Sequence, residues 1–343
     1  MTAQHISFPD AVRFDVIEEG RDLSVRPPDP RAHASWTLGE AAEGSSLNWR
    51  ASFAPSEAHV LAALDAAFTR NAALTGLQLN CPRSAVEALV QSGSVRLNAD
   101  GALRVDRDAL WQLPRLWHAA PRAAYPLQYT ISNGRRHPLR PPKPNGVVYQ
   151  RHIPWLGKTL TLRSIELERD LPVFNRWMND PVVAHFWQEE GDLAKHRAYI
   201  ETLAADPHAT SLIGSFDDEP FGYFEAYYAK EDRIAPFYDV DDFDRGWHVL
   251  VGEAKFRGQP FLTAWMPSVS HYLFLDDCRC QRVVIEPRSD NAKILKSLAR
   301  CGYAHVKEFD FPHKRAMLGM LLRERFFGEA LWIPRSFTTD ARP

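Results

Sequence analysis

The stretch His248-Val249-Leu250-Val251-Gly252, continued by Glu253-Ala254-Lys255-Phe256-Arg257-Gly258-Gln259-Pro260, reads as a strand that ends in a turn and enters a helix. A helix start preceded by Arg257-Gly258 offers unpaired backbone N–H groups, the positive end of the helix dipole and a guanidinium, a combination suited to a pyrophosphate. Other signatures are missing from the sequence. It holds no G-x-x-x-x-G-K-S/T or G-x-G-x-x-G phosphate loop, no H-E-x-x-H zinc motif, no G-x-S-x-G nucleophile elbow and no H-x-x-x-D motif. Most nucleotide, metalloprotease and serine-hydrolase readings lose their support.

Composition narrows the partners. With 41 Lys+Arg against 43 Asp+Glu the formal charge is −2, and no basic excess points to nucleic acid. No run reaches the roughly 18 apolar residues of a membrane helix, and the N-terminus lacks a basic start and an apolar core. A soluble, cytoplasmic protein without a membrane partner is expected. The four cysteines, Cys81, Cys278, Cys280 and Cys301, are too few for a disulfide framework in 343 residues and lack zinc-ligand spacing, so they read as reduced thiols, with no metal expected. Ten Trp and nineteen Phe indicate a well-filled core or an apolar substrate slot.

The elements that must position these groups fall into two blocks. Residues 132–146 hold four prolines and five basic side chains (Arg135, Arg136, His137, Arg140, Lys143), which reads as a solvated linker or a phosphate-binding segment. This places an N-terminal α/β domain at 1–131 and a second domain at 147–343. In the first, Ser56 to Ala72 has helical periodicity. Ser84 to Glu87 forms a capping box for a short helix closed by Gly93, and Val95–Leu97 with Leu103–Val105 forms a hairpin. No motif in this block indicates chemistry, and its fold is open to reading as a degenerate copy of the second domain's. In the second, Thr159–Arg163 is a strand, Asp170 caps a helix to Trp177, and another helix runs from about Asp192 to Ala205. Strands follow at Ser211–Phe216, Phe221–Tyr228 and Trp247–Gly252. A helix runs from Gly258 to about Leu275, then a strand Arg282–Ile285 and a helix Asp290–Arg300 ended by Gly302. Arg315 to Phe327 fits strand or helix by period, with composition favouring helix.

Asp290-Asn291-Ala292-Lys293 through Gly302-Tyr303 resembles the asparagine-to-Gly-aromatic helix of the GNAT superfamily of acyl-CoA-dependent N-acyltransferases, and Arg257-Gly258-Gln259-Pro260 resembles its pyrophosphate loop. The resemblance implies an α/β GNAT fold, a mixed and mostly antiparallel sheet flanked by helices, and makes Arg315 to Phe327 its final strand. A narrower likeness covers roughly residues 150–330. Asn175 to Pro181, His185-Phe186-Trp187, Gly222-Tyr223-Phe224-Glu225, Lys230 to Ile234, Tyr238 to Asp242, Gly246-Trp247-His248 and Glu286-Pro287 resemble the siderophore-biosynthesis branch. That branch implies acylation of the side-chain nitrogen of hydroxylysine, hydroxyornithine or a hydroxylated diamine, with acetyl-CoA or another acyl-CoA as co-substrate. The product is an iron-chelating hydroxamate.

The same resemblance implies site residues. His248 and Glu286 correspond to the family's catalytic pair, a base that removes the nitrogen's proton and a carboxylate that orients it or takes the proton itself. Leu250, Gly252, Arg257, Gly258, Gln259, Asn291 and Lys293 would hold the acyl-CoA, the Leu250 backbone N–H polarising the thioester carbonyl. His185, Trp187, Arg233, Tyr238 and Asp239 would line the acceptor pocket, or else serve helix-end packing and a solvated acidic loop. Two positions depart from the pattern. Pro260 replaces a small residue and removes one backbone donor, and Leu298 stands where many members carry a tyrosine that protonates the leaving thiolate. Contact with a siderophore N-hydroxylase or synthetase is implied by the setting. The alternatives are a GNAT acting on an aminoglycoside or a protein N-terminus, and a non-catalytic CoA-binding module.

Overall fold

The computed structural model describes residues 2–29, 33–41, 44–51, 54–121 and 123–334. The chain divides into two compact units, residues 1–121 with 150–159, and residues 122–149 with 160–343.

The first unit carries an eight-stranded sheet of β1 (Thr2–Ser7), β2 (Phe14–Glu19), β3 (Asp22–Arg26), β4 (Ala34–Ala41), β5 (Gly44–Trp49), β6 (Gly76–Asn80), β7 (Arg96–Leu97) and β8 (Leu103–Asp106). The spatial order is β1-β2-β3-β4-β5-β6-β8-β7. Helix α1 (Glu57–Arg70) crosses from β5 to its parallel neighbour β6, started by Ser56, whose side chain accepts from the His59 N–H. Residues His59 to Phe68 of α1 are all buried, including Asp65, which accepts from Ser7 Oγ at 2.7 Å and faces His5 Nε2 at 2.9 Å. The expected capping box is not formed. Ser84 lies inside a tight 3-10 turn, Arg83–Ala85, so α2 (Glu87–Gln91) starts from Val86 with no side-chain cap, and the short α3 is Arg107–Leu110.

The second unit opens with a hairpin of β9 (Tyr129–Ser132) and β10 (Arg135–Pro138). Residues 132–146 are therefore not the solvated linker their composition suggests. His137 is buried, Arg140 forks onto Glu231 with contacts of 2.6 and 2.8 Å, Arg135 and Lys143 donate to the Glu231 and Ala204 carbonyls, and Arg136 lies over the Tyr129 ring. His137, His208 and Glu231 approach as metal ligands would, but Arg140 already occupies both Glu231 oxygens, which is the chemistry of an ion pair.

The large sheet comprises β11 (Val147–Ile153), β12 (Lys158–Ser164), β13 (Ala209–Phe216), β14 (Glu219–Tyr228), β15 (Arg245–Val251), β16 (Arg282–Ile285), β17 (Ala304–Phe311) and β18 (Lys314–Leu322). Their order is β11-β12-β13-β14-β15-β16-β18-β17. Three helices lie between β12 and β13 in the chain: α4 (Leu167–Met178), α5 (Pro181–Trp187) and α6 (Leu193–Ala205). Asp180 and Asp192 cap α5 and α6. Asp170 does not cap α4 but sits one turn inside it, where its buried carboxylate takes two 2.7 Å bonds from Arg163 and one from the Glu166 N–H. Asp217 and Asp218 both adopt left-handed φ (48° and 66°) and close the β13–β14 hairpin in two residues. Helix α7 (Gln259–Asp276) crosses from β15 to the parallel β16, and α8 (Ala292–Arg300) precedes β17. The Arg315–Phe327 segment divides. It is strand to Leu322 and then helix α9 (Arg323–Gly328), so both periods read from it are present in succession.

A mixed, mostly antiparallel sheet flanked by helices is the architecture expected of the second unit. One detail matters for the site: β15 and β16 pair only at Arg245↔Val283 and Gly246↔Val284, then part, although β15 continues to Val251. The pair β5–β6 in the first unit stays in register over four positions, Ser45↔Leu77 through Asn48↔Asn80.

Candidate active site

Strand pairing places the reactive groups. The β14–β15 register sets Glu225 opposite His248, and the end of β16 delivers Glu286 to the other edge of the imidazole. His248 Nε2 lies 2.8 Å from Glu286 Oε1, and His248 Nδ1 lies 2.9 Å from Glu225 Oε2. The two residues separated by 38 positions are thus in contact, but the imidazole is the middle of three groups rather than half of a pair.

Each carboxylate has its own donors. Glu225 accepts from Tyr199 at 2.6 Å and Tyr223 at 3.1 Å. Glu286 accepts from Tyr227 at 3.0 Å and Arg233 at 3.1 Å, with the Lys314 ammonium 3.7 Å away and donating to the Glu286 main-chain carbonyl. Tyr227 also lies against the His248 ring with centroids 4.8 Å apart. Gly246 makes room for the Tyr227 ring, since a Cβ there would sit 2.2 Å from it. Tyr223, Glu225 and Tyr227 occupy alternate positions on β14 and share one face of the sheet.

Burial by itself disfavours charge on all three groups. For His248 the Glu286 charge and the ring's hydrogen bonds to both carboxylates outweigh it and push the imidazole up to about 10. Burial raises Glu286 too, but the His248 charge and contact, with Lys314 and Arg233, hold it well below the usual carboxylate range. Glu225 is likewise held down against burial by His248 and the two tyrosine hydroxyls. Asp232, partly buried and near Glu286, is pushed up.

His248 and Glu286 open onto a cavity of about 990 Å³, within the range of substrate sites. Leu250, Arg257, Gly258, Asn291 and Lys293 line it, as do Trp187 and Arg233. Several expected residues stand elsewhere or are otherwise engaged. His185 is exposed and outside the cavity, which its neighbours Phe186 and Trp187 line instead. Tyr238 donates to Asp244 at 2.9 Å, and Asp239 uses its carbonyl to accept from Arg282; neither reaches the cavity. Gly252 packs against Trp177, where a Cβ would lie 2.0 Å from the indole, so its smallness serves the core. Gln259 begins α7 without lining the cavity.

Arg257 ties its own loop. It donates to the Val251 and Gly252 carbonyls at 2.9 and 3.0 Å and pairs with Asp180 at 3.0 Å. Glu225, Tyr199, Tyr227 and Lys314 went unassigned in the sequence. The alternating polar tips of β14 were the available signal, but their meaning depends on which strand β14 pairs with.

The residues present suit an acyl-CoA. Beyond Gly246 the β15 main chain is not paired to β16 and faces the gap between them, while α7 begins at Gly258 (φ 119°) with no side-chain cap. On that stretch the Val249 carbonyl accepts from the Trp187 indole N–H at 3.3 Å and the Val251 carbonyl from Arg257, so a strand that has lost β16 is held by side chains that an amide-bearing arm can replace, and uncapped N–H groups suit its phosphates. Asn291 caps α8 through its side chain, accepting from the Ile294 N–H at 3.2 Å. All four cysteines are free, and burial pushes Cys280 and Cys301 up to about 12, which makes them poor nucleophiles. Among the described residues no helix is long and apolar enough to cross a membrane.

Residues 166–311 match the family described as an acetyltransferase (GNAT) domain. The chain is 44% identical over 227 residues to an N(6)-hydroxylysine O-acetyltransferase of Escherichia coli, covering 66% of this chain and 72% of that one. It is 45% identical over 196 residues to an N(5)-hydroxyornithine:cis-anhydromevalonyl coenzyme A-N(5)-transacylase of Beauveria bassiana, covering 56% and 43%. Among solved structures, an uncharacterized protein of Bacillus halodurans is similar in fold, with a TM-score of 0.52 and 25% identity over 55% of this chain and 96% of that one. Fold, split sheet and relatives agree, and the chain belongs to the GNAT family of acetyltransferases, in the branch that includes these hydroxylysine and hydroxyornithine acyltransferases.

Proposed function

We propose that this enzyme transfers the acyl group of an acyl-CoA, acetyl-CoA by default, to the side-chain hydroxylamine nitrogen of hydroxylysine or hydroxyornithine, producing a siderophore hydroxamate. The observation that carries this reading is the contact of His248 with Glu286 at the wall of a cavity that also reaches the start of α7. The names of the relatives support the acceptor class.

The residues divide the work along the cavity. At one end the stretch of β15 that β16 leaves unpaired, near Leu250, and the uncapped first turn at Gly258 hold and polarise the thioester-bearing co-substrate, with Lys293 contributing positive charge toward its phosphates. Trp187, whose indole N–H donates to the Val249 carbonyl at 3.3 Å, packs against the acceptor's methylene chain beside β15, and Arg233, on Glu286, faces the acceptor's polar head. The carbon–nitrogen bond forms as the carbon–sulfur bond breaks, and the nitrogen's proton passes to Glu286, which the His248 ring holds in place at 2.8 Å. Leu298 holds the place of a tyrosine, so no side-chain acid acts on the thiolate from that position. The substrate chemistry requires an N-hydroxylating reaction upstream and a condensing reaction downstream, both consistent with a cytoplasmic setting.

Incubation with acetyl-CoA and N6-hydroxylysine, N5-hydroxyornithine or N-hydroxycadaverine should release CoA thiol and give a ferric-hydroxamate colour with at least one amino acid. Silence with all three acceptors overturns the reading. His248→Gln should lower the rate about 10²-fold or more.

A further inference from the structure

We infer that Glu225 and Glu286 together hold His248 doubly protonated, so that the site lacks a free imidazole base and accepts only nitrogens that arrive uncharged: hydroxylamines rather than alkylamines. This rests on the acyl-transfer reading and concerns how that same site selects its acceptor.

A neutral imidazole has one N–H donor and one lone-pair acceptor, whereas an ionised carboxylate only accepts. With carboxylate oxygens at 2.8 and 2.9 Å from the two ring nitrogens, either neutral tautomer would aim a ring lone pair at a carboxylate lone pair. The conflict vanishes when the ring carries both protons. Protonating a carboxylate instead would have to overcome the donors around it: Tyr199 and Tyr223 on Glu225, and Tyr227, Arg233 and Lys314 on Glu286. The other charged or titratable groups that line the cavity are Asp232, from the loop after β14, Glu189, after α5, Arg257 before α7, Arg288 and Lys293 around the start of α8, and His313 between β17 and β18. The rise of the His248 imidazole to about 10 agrees with this geometry. Glu225 itself lines the cavity, but in this scheme it acts through the ring, as a positioning residue.

The chemical consequence follows from proton affinity. Carboxylates held below their ordinary range are weak bases toward an alkylammonium, whose pKa is about 10.4. At pH 7.4 a lysine side chain is uncharged in roughly one part in 10³. A hydroxylamine is far less basic and presents its lone pair without help. Once bonded to the thioester carbon its nitrogen becomes strongly acidic, and Glu286 or water suffices to take the proton.

Two measurements test this on the full-length protein. In ¹⁵N-histidine NMR without substrate, the His248 signals, assigned by their loss in His248→Gln, should report both nitrogens protonated from pH 6 to 9. In Glu225→Gln the ring should titrate inside that range. A wild-type ring that titrates between pH 6 and 8 overturns the inference, and this outcome decides even if Glu225→Gln does not fold. In parallel, kcat/KM at pH 7.4 should favour N6-hydroxylysine over lysine about 10³-fold. The lysine value should climb tenfold per pH unit toward pH 10 while the hydroxylysine value stays flat between pH 7 and 9. Equal rates on both amines at pH 7.4 overturn the inference. A doubly protonated ring in a protein that acylates neither substrate would instead sink the acyl-transfer reading and leave the charge state standing.

Discussion

His248 couples the chemistry of the site to the stability of the fold. Its imidazole is ordinary, near 6.5, once the chain unfolds and near 10 in the folded protein. A group raised in this way contributes stability that is complete below about pH 6.5 and is lost as the pH climbs toward 10. Glu225 and Glu286 run the other way. Both are held below their usual 4.5, so their contribution is present above that value and fades on acidification. The urea midpoint should therefore be highest between about pH 5 and 7 and fall on the alkaline side. His248→Gln should show a shallower alkaline fall, and identical slopes in the two proteins would refute the coupling. Nothing in the local sequence announces this network. Glu225 lies 23 positions from His248, and its role depends on the β14–β15 register; Glu286 was reached only through family resemblance.

At the scale of elements, the site depends on where β15 stops pairing and what then holds it. Beyond Gly246 the strand loses β16 as a neighbour, and its far end rests on α4: Trp177 packs on Gly252 and donates its indole N–H to Glu253 at 2.9 Å. Gly252→Ala would drive a methyl into that indole, and overpacking of this kind costs about 1–3 kcal/mol. Chemical denaturation should show that loss, and the KM for acyl-CoA should rise as the strand end shifts. Unchanged stability would mean that Trp177 has room to retreat. Elements with clear periods or caps were legible in the sequence: β12, α6 behind Asp192, the β13–β14 hairpin, β15, α7 and α8. The seven-residue α5 is too short to establish a period, and β17 carries His305, Lys307, Glu308 and Asp310 with mostly exposed positions, so alternation was absent. The proline-rich 132–146 segment misled because its ordering comes from ion pairs with distant residues, such as Arg140 with Glu231, and not from apolar burial.

Across the whole molecule, two eight-stranded sheets follow the same order, with a parallel pair at the fifth and sixth strands spanned by a helix, α1 in one unit and α7 in the other. This supports reading the first unit as a second, chemically silent copy of the acyltransferase fold. Its β2 and β3 are joined by a short turn where the second unit inserts α4, α5 and α6. The first unit's β5 and β6 remain zipped through Asn48 and Asn80, whose side chains add a 2.7 Å clamp. A sheet closed at that seam leaves no strand edge free for a pantetheine chain. Isothermal titration should therefore saturate at one equivalent of CoA per polypeptide despite the doubled architecture, and a stoichiometry of two would mean that the closed seam can open.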